Sequence, residues 1–245
     1  MGKSSPAVLF MATALFFATA TRAQQQPSDM SDMQHETEAY PEAARAANDA
    51  MDDPNMNMDD ANPHMYMTVL MPTRPGDEHK AAEILDILRS SIAKYKDYRV
   101  ALSDGYQIFL PKVPQQMYHF TNYRYAFAAA FVFNPAHPTS LLYKKTGDSY
   151  QLVGAMYTAP KNATEQELND RVPLSIARWH EHVNFCLPPR GTPAQQVNWK
   201  EFGLAGSIAT QQDCAKAGGK WIPQIFGWMV HVYPFESDAS KIWAH

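Results

Sequence analysis

The pattern of hydrophobic and polar positions divides the chain into stretches of different kind. Residues 7–20 (AVLFMATALFFATA) are an uncharged apolar run that follows Lys3. The run falls short of the ~20 residues that a spanning helix needs, and the small residues Thr21 and Ala23 precede Gln24. This pattern predicts a cleaved export signal over residues 1–23. Residues 24–71 have no apolar period and few large aliphatic side chains, so they bury too little surface to offset the entropy of ordering. They read as a disordered leader, with a transient helix at Pro41–Met51.

Periodicity begins after residue 71, which sets a folded domain over residues 72–245. Asp77 predicts an N-cap, and Ala81, Leu85, Leu88, Ile92 and Tyr95 then recur at helical spacing as far as Lys96. Asp104-Gly105 predicts a turn into a short strand. The run Tyr125–Phe133 is too short to assign to helix or strand by pattern alone. Leu141–Tyr143 and Tyr150–Tyr157, on either side of the turn-prone KKTGD, predict a β-hairpin. Thr164 and Glu167 have capping-box spacing, and Thr210 predicts a further short helix that stops at Gly218-Gly219. Ile225–Tyr233 reads as one strand. Helices and short strands mixed without βαβ alternation predict a single α+β domain with a mostly antiparallel sheet, a long N-terminal helix and short helices.

Charge sharpens this division. The chain has 245 residues and a formal charge of −4. Residues 24–71 hold ten acidic residues against Arg45 alone, whereas residues 72–245 hold 18 basic and 15 acidic residues. The overall balance argues against a broad nucleic-acid surface, which needs a basic patch. With no glycine period, no sustained heptad and one long apolar run, the chain is not collagen, a coiled coil or a multi-span membrane protein. After signal removal no membrane span is expected, and the product is periplasmic or secreted. In an oxidising compartment the two cysteines, Cys186 and Cys214, suggest one disulfide. The competing reading makes Cys186, four residues after His182, a metal ligand.

The candidate chemistry lies in histidine. If residues 178–185 are extended, His180 and His182 of WHEH project together beside Asn184, while Trp179, Glu181 and Val183 face the other way. His231 shares its strand face with Met229 and Tyr233, opposite Trp228, Val230 and Val232. His119 in MYHF completes a set of four aromatic-flanked imidazoles, a donor set suited to zinc or copper. The leader offers a second candidate. It holds eight of the 13 methionines, and Met30, Met33, His35, Met56, Met58, His64, Met65 and Met67 form a copper-type thioether and imidazole tract. Its plainer reading is a solvated linker with incidental or oxidant-scavenging methionines. No GxSxG, HExxH or glycine-rich phosphate loop is present.

The segments IAKYKDYRVALSDGY, MYHFTN and NPAHPTSLLYKKTGDSYQLVGAMYTAP, followed by the His-containing strand near the C-terminus, appear in an order that resembles a group of uncharacterised exported bacterial proteins. The resemblance covers roughly residues 90–235. It implies export and draws attention to His119, His231 and Tyr157, with Thr139 standing where many of that group carry glutamate. The expectation is an exported protein that binds a metal ion, zinc or copper, through His180, His182, His231 and His119. A metal-dependent exported oxidoreductase or hydrolase, and a non-catalytic interaction module with structural histidines, are the alternatives. No protein partner is identified by the sequence.

Overall fold

A computed structural model describes residues 62–111, 115–193, 196–203 and 206–243. The strands are β1 (Met65–Met67), β2 (Gln107–Ile108), β3 (Tyr118–Thr121), β4 (Ser140–Thr146), β5 (Ser149–Ala159), β6 (His180–Leu187), β7 (Lys220–Gln224) and β8 (Trp228–Val232). Among the described residues they form one eight-stranded sheet in the order β1-β6-β8-β5-β4-β3-β2, with β7 joined to the second half of β6. All the pairings are antiparallel. The helices are α1 (Asp77–Ile92), α2 (Tyr98–Ser103), α3 (Tyr123–Ala129), α4 (Glu165–Arg171), α5 (Gln211–Lys216) and α6 (Ala239–Ile242). This is a single α+β domain, as the mixed pattern predicts. The signal, the transient helix and most of the leader lie outside the described residues.

Helix α1 buries Ala81, Ile84, Leu85, Leu88 and Ile92 on one stripe. Leu88 and Ile92 are fully buried, each contributing about 1.5–3 kcal/mol by removal of apolar surface from water. The stripe packs against one face of the sheet, where Tyr118, Phe120, Leu141, Tyr143, Ala155, Val230 and Val232 form the main core. Gly76, in the left-handed region at φ 95°, is the N-cap of α1 in place of the expected Asp77. Asp77 instead occupies the first turn, where its carboxylate suits the helix dipole and accepts from the Arg74 backbone N–H. The helical path ends in a 3-10 turn at Ala93–Lys96.

The predicted hairpin is β4–β5, and Thr164 and Glu167 form the full capping box of α4. The uncommitted segment after residue 123 is helix α3, capped by the Asn122 side chain, which accepts from Arg124 and Tyr125. Two expectations need correction. The run Ile225–Tyr233 is not one strand, because β8 starts only at Trp228. At Gly227 a Cβ would collide with the Ala159 carbonyl oxygen, so the chain passes too close there for a side chain. The folded part also starts before residue 72. Met65–Met67 pairs with Glu181, His180 and His182 as an edge strand, and the Thr68 N–H donates to the Trp179 carbonyl at 2.8 Å. A three-residue edge strand in a Met- and Asn-rich setting has too little hydrophobic alternation to register as a strand.

Cys186 and Cys214 are joined by a disulfide across a sequence separation of 28. It ties β6 to α5, with both sulfurs buried among Phe202, Ile208 and Trp221. Cys186 is therefore not available as a thiolate ligand.

Candidate functional site

Cross-strand partners in an antiparallel sheet present their side chains to the same face. The register therefore fixes what stands beside each histidine. His180 on β6 lies opposite Met67 on β1 and opposite Met229 on β8. His182 lies opposite Met65, and His231 on β8 lies opposite Met156 on β5. His119 on β3 lies opposite Leu142 on β4, with Met117 two residues earlier. These side chains occupy the face turned away from α1.

All four rings are buried, with 0% exposure at His180, 1% at His182 and 3% at both His119 and His231. They are neighbours in series. Ring centroids stand 5.6 Å apart for His180 and His182, 5.1 Å for His180 and His231, and 5.8 Å for His119 and His231. The last distance is informative, because β5 and β4 separate β8 from β3 in the sheet. Three steps of a flat sheet would span about 14 Å, so the sheet must curl with the histidines on its concave side. The ladder shows where part of the curl arises. Leu142 pairs with Gly154 but Tyr143 pairs with Leu152, which leaves Val153 as an extra residue, and such a bulge bends and twists a strand. Gly154 makes room beside it. A Cβ there would lie 2.6 Å from the Val232 carbonyl oxygen and 3.0 Å from the Tyr233 ring.

Around the imidazoles, Met117, Leu142, Met156 and Met229 form a separate apolar cluster against Val153, Phe226 and Tyr233. The Phe226 ring is 6.3 Å from His182, and the Tyr233 ring is 6.3 Å from His231. Burial in this shell pushes the His119 imidazole down to about 4, partly opposed by a backbone hydrogen bond to Met117. At neutral pH His119 is therefore uncharged and keeps a lone pair on one ring nitrogen. Glu181 projects from the opposite face and accepts a hydrogen bond from the Gln224 side-chain amide. Burial raises its carboxyl above the ordinary range.

The structure thus brings His119, His180, His182 and His231 onto one face. Among the described residues, however, no group of three or more His, Cys, Asp or Glu side chains is disposed to hold a metal ion. Asn184, expected beside His180 and His182, breaks the alternation with a left-handed φ of 61°, and its amide donates to the Pro63 carbonyl. His64, expected in a solvated leader, is 3% exposed inside the fold. Its Nε2 is 2.7 Å from the Gly206 carbonyl oxygen and its Nδ1 is 3.0 Å from that of Asn184. Both nitrogens meet backbone carbonyls, so His64 ties its segment to β6 and to the loop at Gly206. Of the leader residues, Met65 and Met67 are on β1, while Met30, Met33, His35, Met56 and Met58 lie outside the described residues. Tyr157 faces the main core, where its hydroxyl donates to the Pro135 carbonyl at 2.7 Å.

Sequence reading missed Met117 and Met156 as neighbours of the histidines. The alternation Met117-x-His119 was the available signal for the first; the second required the register between β5 and β8. No helix among the described residues is long and apolar enough to cross a membrane. No family model, curated protein or solved structure matches the chain.

Proposed function

We propose that this is an exported protein that binds a transition-metal ion, zinc or copper, on the concave face of its sheet through His180, His182 and His231, with His119 at the end of the row. The observation that carries this reading is the succession of four buried imidazoles with ring centroids 5.1–5.8 Å apart. At metal–nitrogen bonds of about 2 Å, a ring centroid lies roughly 3 Å from the ion, and two rings on one tetrahedral ion are about 5 Å apart. The 5.1 Å between His180 and His231 on neighbouring strands supports a shared ion for that pair.

The burial of all four rings supports a holding site rather than turnover, because catalytic sites keep a coordination position open to substrate. Export rests on the apolar run at residues 7–20, and the disulfide between Cys186 and Cys214 accords with an oxidising compartment. The test is elemental analysis of the untagged mature chain after loading and desalting. Stoichiometric zinc or copper that disappears in a His180→Ala/His231→Ala variant is expected. A wild-type chain that retains neither metal would overturn this reading and favour structural histidines.

A further inference from the structure

Building on that reading, we infer that the ion is cuprous copper, and that its site is a mixed one in which His180 and His231 supply imidazole and Met156 and Met229 supply thioether sulfur. Five methionines share the concave face with the four histidines, and three of them occupy the rows next to the closest ring pair. Met67 and Met229 flank His180 on either side, and Met156 opposes His231. Met156 and Met229 are 7% and 3% exposed and belong to one contact cluster. Directly opposed residues have Cβ atoms about 5 Å apart, well within the reach of a methionine side chain.

Donor chemistry and charge favour Cu(I). The cysteines are consumed by the disulfide, and the nearest carboxylate on β6, Glu181, faces the other side. Imidazole and thioether are both neutral, so the ion's charge stays uncompensated in an apolar shell. Born desolvation rises with the square of the charge, so a divalent ion costs roughly four times what a monovalent one does. Thioethers are soft ligands that select Cu(I) over zinc.

The test is an anaerobic competition titration of the full mature chain with Cu(I) against bicinchoninate, beside a Zn(II) titration against a chromophoric chelator. Both are repeated on Met156→Leu/Met229→Leu, a volume-conserving change that cores tolerate. The expected result is about one Cu(I) per chain, with affinity reduced at least about tenfold in the double variant while any Zn(II) binding is unchanged. X-ray absorption at the copper edge of the wild-type chain, which needs no variant, should show sulfur as well as nitrogen neighbours. Wild-type Cu(I) affinity in the double variant, or a nitrogen-only spectrum, overturns the inference. Zinc bound without Cu(I) also overturns it but leaves the proposed function standing; binding of neither ion removes both.

Discussion

Acid should destabilise the metal-free protein through His119 well before Asp77, Asp104, Asp213 and Asp238 titrate. Burial holds this imidazole at about 4 against an ordinary 6.5, so between those values the unfolded chain binds a proton that the folded chain refuses. Stability then rises with pH across that window and is lost as pH falls through it. The gap corresponds to on the order of 3 kcal/mol, a large fraction of the stability of an ordinary domain. Asp77, Asp104, Asp213 and Asp238 are held below the ordinary 3.8, so their contributions are present above that value and vanish only in stronger acid. The assay is urea denaturation of chelator-treated protein at intervals from pH 7.5 to pH 4, for wild type and for His119→Phe, whose ring never charges. The wild-type midpoint should fall more steeply than that of the variant between about pH 6.5 and 4. The slope is the readout, so a constant offset from repacking does not affect it. Parallel profiles would show that burial of His119 does not suppress its protonation, and the reasoning would fail.

Three further outcomes probe the scaffold. Cys186→Ser/Cys214→Ser should cost about 3.5 kcal/mol in urea denaturation, from the loss of a cross-link over a separation of 28 residues. Gly154→Ala forces a Cβ toward the Val232 carbonyl, and should destabilise by about 1–3 kcal/mol while weakening metal binding, because it lies between β3 and β8 where the sheet curls. Thr164→Ala removes one side of the capping box of α4, and should cost about 1 kcal/mol with metal binding unchanged; both are read from denaturation and metal titration.

Much of the local structure was legible because it depends on short-range spacing. The stripe Ala81, Leu85, Leu88 and Ile92, the capping residues Thr164 and Glu167, and the alternation that puts His180 and His182 on one side of β6 can all be read within a few residues. What was not legible depends on contacts across the sheet. His119 meets His231 only because β4 and β5 curl between them, and a bulge at Leu142/Tyr143 leaves no distinctive residue pattern. The edge strand Met65–Met67 was hidden by its composition, since methionine, asparagine and aspartate read as leader while the strand is held by β6. His64 shows the same limit: a histidine in an acidic, Met-rich segment suggested a metal tract, whereas its ring nitrogens meet the carbonyls of Asn184 and Gly206, more than a hundred residues away.

The most direct measurement of the central claim is the metal content of the untagged mature chain, loaded separately with Cu(I) under anaerobic conditions and with Zn(II), desalted, and analysed beside His180→Ala/His231→Ala with its disulfide intact. The account predicts about one ion per chain in the wild type and its loss in the variant. A wild-type chain that emerges empty from both loadings, or a variant that holds as much metal as the wild type, would contradict it.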